Sequence, residues 1–182
     1  MRCESKNTFQ LKFLFSKVIY SKDSSVTNFL FGFTRFWQAM TNIVSVSNLC
    51  MKIFALRLTP GQDLKKALDA FTIEKNLQVG FIVTCVGSLN KVVIRPADRQ
   101  EPLVREQKFE IVSLTGTLSP DGSHLHIALS DSAGVTIGGH LLEGNLIYTT
   151  AEIIVGGAEG VQFRREPDPE TGYKELTIKR IQ

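Results

Sequence analysis

The feature that most narrows the fold is a strict two-residue alternation from His124 to Leu141. Leu125, Ile127, Leu129, Val135, Ile137 and Leu141 share one phase of the pattern, which is the signature of strands with one buried face. The break falls at Ser132-Ala133-Gly134, and a three-residue hairpin loop wants glycine last, in the left-handed conformation. That loop length pairs Asp131 with Val135, Ser130 with Thr136, Ala128 with Gly138 and His126 with His140. A loop of two or four residues would send His140 to the face opposite His126, so everything here turns on register.

All three histidines of the chain, His124, His126 and His140, lie in this hairpin. Directly opposed residues have Cβ atoms roughly 5 Å apart, and His124 sits two residues along the same face. Three imidazoles are then placed to meet one divalent ion. The competing reading is three surface or hydrogen-bonded histidines, with Gly138-Gly139 marking a bulge or the close approach of another backbone. His-x-His with a distant third histidine is a less specific signal than paired Cys-x-x-Cys.

Length and composition fit one soluble globular domain with a real core: 182 residues, 43% hydrophobic and 21% charged. The net charge of +3 is unevenly spread. Six of the 21 Lys/Arg and two of the 18 Asp/Glu fall in residues 1–50, which leaves fifteen against sixteen in residues 51–182. The larger part therefore has no overall basic field to attract nucleic acid. Cys3, Cys50 and Cys85 are odd in number and widely spaced, which fits a reducing compartment and a cytoplasmic location. Cys85, in the apolar run Phe81 to Val86, reads as a small packed hydrophobe.

Residues 1–50 read as an extension outside the domain. They hold seven of the twelve Phe and the only Trp, Trp37, without turn-delimited strands. Their apolar stretches are too interrupted for a membrane span or a signal peptide. The segment is basic, Ser-rich and poor in acids, as transit peptides are. The expectation is instead upstream sequence ahead of a start at Met51, because Met51 runs straight into a strand-like run, Lys52 to Leu58.

From Met51 onward the organisation is regular. Thr59-Pro60-Gly61 is a turn, and Asp63 caps a helix with Leu64, Ala67, Leu68 and Phe71 on its apolar face, ending near Asn76. Val79–Val86 and Lys91–Arg95 read as two strands separated by Gly87–Asn90, and Pro96–Lys108 as a polar loop. Phe109–Leu118 is a strand, and Ser119-Pro120-Asp121-Gly122 a turn into the histidine hairpin. Leu146–Val155 is a strand, and Gly156–Gly160 a hairpin turn. Val161–Arg165 then pairs with Tyr173–Arg180. One principal helix with many antiparallel strands predicts an α+β domain over residues 51–182.

These ordered residues resemble a known family. Gly80 to Leu89 followed by Val93-Ile94-Arg95, Phe109 to Leu118, Gly122-x-His124-x-His126, Gly138-Gly139-His140-Leu141 and Thr150-Ala151-Glu152-Ile153 resemble the plants-and-prokaryotes conserved (PPC) domain. The resemblance covers most of residues 51–180. It implies a mainly antiparallel sheet domain, assembly as a homotrimer, and the "DNA-binding" label that members inherit from plant proteins with AT-hook motifs. No Arg-Gly-Arg-Pro core occurs in this chain, so that minor-groove reader is missing. The Phe109–Ile111 segment matches one linked in plants to protein partners; a buried strand is the other reading. A more distant likeness, to the α-acetolactate decarboxylase fold, implies zinc on His124, His126 and His140. The alternative function is then a zinc-dependent lyase or hydrolase acting on a small carbonyl or ester, with Glu152 as general acid/base and Arg95 as an anion-binding group.

Overall fold

A computed structural model describes residues 51–181; the extension and the expected start of the protein at Met51 concern residues outside that range. The described chain runs β1 (Met51–Leu58), α1 (Leu64–Glu74), β2 (Gly80–Arg95), β3 (Leu103–Arg105), β4 (Phe109–Leu118), β5 (His124–Ser130), β6 (Thr136–Leu141), β7 (Leu146–Ala158), β8 (Val161–Pro167) and β9 (Lys174–Arg180). The main sheet is ordered β1-β7-β2-β4-β5-β6 with β3 attached to β2, and β8 and β9 form a separate two-stranded ribbon. All the pairings are antiparallel, as expected for the α+β class.

The helix forms where its cap dictates. Asp63 Oδ1 accepts from the backbone N–H of Lys65 and Lys66, at 3.0 and 3.2 Å, which satisfies donors that a helix start leaves open. The same carboxylate's Oδ2 accepts from Gly144 N–H at 2.6 Å, tying the helix to the β6–β7 connection. Leu64 and Leu68 are fully buried in the core with Leu89, Ile94, Leu118, Leu125, Leu141 and Ile153. Burying one such side chain stabilises the fold by about 1.5–3 kcal/mol.

β2 organises the sheet. Its first part lies between β7 and β4, and its end turns to pair Ile94 with Leu141 and Arg95 with His140 of β6. Strands β2, β4, β5 and β6 therefore close into a ring. The two strands expected over Val79–Val86 and Lys91–Arg95 are one, because Gly87 to Lys91 is crossed by register shifts and the ladder continues beyond them. The expected loop Pro96–Lys108 contains the short strand β3. Gly156 and Gly157, expected in a turn, belong to β7. A Cβ on Gly156 would stand 2.4 Å from the Phe81 ring, so close packing accounts for that glycine.

A single buried amide locks the ring to β7. The Asn145 side chain is fully buried, donates to Val93 O (2.8 Å) and Leu142 O (2.7 Å), and accepts from Val93 N–H at 3.0 Å. Cys85 is buried as expected, and burial pushes its thiol up to about 12. Asn145→Ala should cost about 1–3 kcal/mol in urea unfolding, since it removes the side-chain partner of Val93 N–H and Leu142 O and leaves Val93 O with Leu142 N–H alone. In a Cys3→Ser/Cys50→Ser chain the Cys85 thiol should resist Ellman's reagent at pH 8 until the protein is unfolded.

Candidate metal centre

The site is built on the β5–β6 hairpin, and its turn has the expected form. Asp131 N–H donates to Val135 O at 3.0 Å, and Gly134 sits at φ +78°. Asp131 Oδ1 accepts from Ala133 and Val135 N–H, both at 2.9 Å, which fixes the loop at three residues. The register beyond it pairs Ser130 with Thr136, Ala128 with Gly138 and His126 with His140. Leu125, Ile127, Leu129 and Leu141 are buried on the inner face. Val135, expected among them, is 58% exposed because it lies at the loop, past the end of the core.

The opposite face gathers the histidines. Ring centroids of His124 lie 5.1 Å from both His126 and His140, and those of His126 and His140 are 5.7 Å apart. The Nε2 atoms of His124 and His126 are 3.2 Å apart. One donor nitrogen from each ring falls within 4.8 Å of the others. On the β4 side, a Cβ on Gly116 (φ +139°) would stand 2.0 Å from His124 O, so only glycine lets β4 lie this close to β5. On the β6 side, His140 is held opposite Arg95 by the closure of the ring.

Burial and neighbouring charge favour the neutral form of His140 and His124. Burial, then the charges of His124, Arg95, His126 and Lys65, bring His140 down to about 4. Burial, followed by Arg165 and His126, also lowers His124, against an opposing pull from Glu175. A neutral imidazole keeps a lone pair for coordination. His140 Nδ1 is buried and has no hydrogen-bond partner among the described residues, a deficit that a bound ion or water would relieve.

Two cavities flank His124. One, of about 330 Å³, is lined by Thr115, Thr117, His124, His126, Arg165 and Glu175 among others. The second, of about 400 Å³, brings Arg95, His124, His140, Arg165, Tyr173 and Glu175 together. Arg95 thus lines the same cavity as His124 and His140. Glu152 is exposed on β7, opposite Arg57 and Val86, and lines neither cavity. The carboxylates found there are Glu175, from the β8–β9 ribbon, which lines both cavities, and Asp121, which lines the second. The sequence does show the ribbon's pairing, but nothing in the spacing reveals where the ribbon packs.

Because His140 titrates below its unfolded value near 6.5, the unfolded chain binds the extra proton between these two values. Metal-free protein should therefore hold its full stability above about pH 6.5 and lose part of it as pH falls toward 4. Ring chemical shifts should show His140 still neutral at pH 5.5, and a normal titration near 6.5 would contradict this geometry.

Comparison with known proteins places this architecture. The description of the Plants and Prokaryotes Conserved (PCC) domain matches residues 46–159, beginning inside the segment expected to be an extension and ending before β8. A Salmonella protein of unassigned function is 37% identical, with a TM-score of 0.73 over 76% of this chain and all of its own. The metal-containing protein AF0104 of Archaeoglobus fulgidus is 27% identical, with a TM-score of 0.61 over 73% of this chain and 99% of its own. The bifunctional protein GlmU of Synechococcus sp. (strain JA-3-3Ab) is 47% identical over 131 residues, 72% of this chain. The chain spans only about a fifth of that relative's length, 21%. With the ring-closed antiparallel sheet and the ordered motifs in place, this chain belongs to the PCC domain family.

Proposed function

We propose that this chain is a metal-binding protein whose His124, His126 and His140 hold a zinc ion. The observation that carries this reading is the convergence of three imidazole nitrogens within 4.8 Å on a hairpin held by the core. Three nitrogen donors at this spacing suit zinc, and the unpartnered Nδ1 of His140 fits a site built for an ion. The metal-containing Archaeoglobus relative supports it.

Zinc held by three histidines keeps a fourth position for water or a carbonyl oxygen. The two cavities beside His124 give such a ligand room, which favours a zinc-dependent lyase or hydrolase acting on a small carbonyl or ester. Arg95 is then an anion-binding group, and Glu175 replaces Glu152 as the nearby carboxylate for proton transfer. We also propose a homotrimer. Val83, Val86 and Val112 stand 52%, 56% and 58% exposed on the neighbouring strands β2 and β4, an apolar surface that a subunit contact would cover.

Regulatory binding to DNA or a protein is the reading that family membership adds. Charges over residues 51–182 nearly balance, and Lys52, Lys65, Lys66, Lys75, Lys91, Arg164 and Lys179 are each ion-paired. DNA would thus have to engage a local patch. Among the described residues no helix is long and apolar enough to cross a membrane.

Replacing His124, His126 or His140 singly by Ala should weaken zinc at least about 100-fold in chelator competition, with the circular dichroism spectrum unchanged. Wild-type zinc retention in any of the three would remove that residue from the centre. DNA affinity, measured from 50 to 200 mM salt, should fall steeply if phosphates are engaged; no binding at 50 mM removes DNA as a partner.

A further inference from the structure

Two guanidinium groups beside the histidines, Arg95 and Arg165, make no ion pair within 4 Å among the described residues, although the charge of Glu175 reaches Arg165. Arg165 is half-buried on β8; its Nη2 donates to Thr117 Oγ1 at 2.6 Å, and it makes no ion pair among the described residues. The nearby Asp121 carboxylate is taken by Arg164 at 3.1 Å and by the Arg165 backbone N–H at 3.2 Å. Arg95, half-buried at the end of β2, has its guanidinium over the Tyr173 ring, 5.8 Å from the centroid. A guanidinium carries five N–H donors, and one out of bulk water without a carboxylate is an unmet demand for an acceptor. Both groups line the cavity of about 400 Å³ that contains His124 and His140. Lys174 lines it too, while its Glu175 accepts from Thr171 Oγ1 at 3.0 Å and pairs with no cation within 4 Å among the described residues.

We propose that Arg165 and Arg95 form an oxyanion clamp beside the three-histidine cluster, so that the site takes a small ligand bearing a carboxylate or phosphate group. Planar guanidinium forks match such groups with paired, charge-assisted hydrogen bonds. The clamp deepens the metal reading and rests on it only for the ligand's other end, which would point at the cluster. Its division along the chain is informative. The histidines and Arg95 lie in the matched family segment, residues 46–159, whereas Arg165, Tyr173 and Glu175 come from the ribbon beyond it. The ribbon thereby acts as the selectivity wall of a centre built by the common domain.

The test uses the full chain, cobalt-loaded and chelator-stripped in parallel, titrated calorimetrically with pyruvate, inorganic phosphate and neutral pyruvamide. The clamp predicts that pyruvate or phosphate binds at least tenfold more tightly than pyruvamide, and the preferred anion tells carboxylate from phosphate. Arg165→Gln should lose that preference at least tenfold with cobalt stoichiometry unchanged, and Arg165→Lys should recover part of it. Arg95→Gln, on a different strand, should show the same loss should Arg165→Gln fail to fold. Anion binding to stripped protein that Arg165→Gln abolishes upholds the clamp even where no cobalt binds. One cobalt per chain with equal affinity for pyruvate and pyruvamide, or no anion binding, overturns the clamp and leaves the metal centre standing.

Discussion

The site depends on one constraint, the register of β5 against β6. A slip of one residue would carry His140 to the core face and Leu141 to solvent. Two interactions forbid it. Asp131 closes a three-residue loop with Gly134 in the left-handed region. On the far side, Leu125, Ile127, Leu129 and Leu141 are buried, each worth about 1.5–3 kcal/mol, so slippage would expose several at once. The histidines therefore need no attraction among themselves to stay together. The hydrophobic face does that, leaving the polar face to hold a cluster joined internally by the hydrogen bond between His124 and His126.

That cluster is costly as it stands. Burial and mutual charge disfavour protonation of His140, whose Nδ1 has no partner among the described residues. Places where local preferences are left unsatisfied inside a well-packed frame are where function is found. Arg95 and Arg165 extend the same logic, since their charge lowers His140 and His124 respectively while offering donors to an incoming anion. Under the proposed reading, a metal on the histidines and an anion on the arginines would share one electrostatic environment.

The readable parts of the sequence were those governed by local rules. Loop length set the hairpin register, Asp63 announced the helix start, and the ordered motifs around His124, His126 and His140 pointed to the family. What stayed hidden depends on contacts distant in sequence. Gly87 resembles a strand break until β7 is seen pairing on both sides of it. Gly156 resembles a turn until the Phe81 ring occupies the space over it. Glu152 stood out because it lies in a family motif, yet β7 faces it toward Arg57 of β1 rather than into the cavities. Glu175 and Arg165 carried no motif, and only the packing of the β8–β9 ribbon brings them to His124.

The central claim is that three imidazoles share one metal ion, and zinc-edge X-ray absorption on the zinc-loaded full chain tests it most directly. The account predicts about one zinc per chain with a first shell of nitrogen and oxygen at about 2.0–2.1 Å and outer-shell scattering from three imidazole rings. A first shell containing sulfur at about 2.3 Å would place zinc on cysteine instead. That result, or zinc lost on dialysis, would contradict the account.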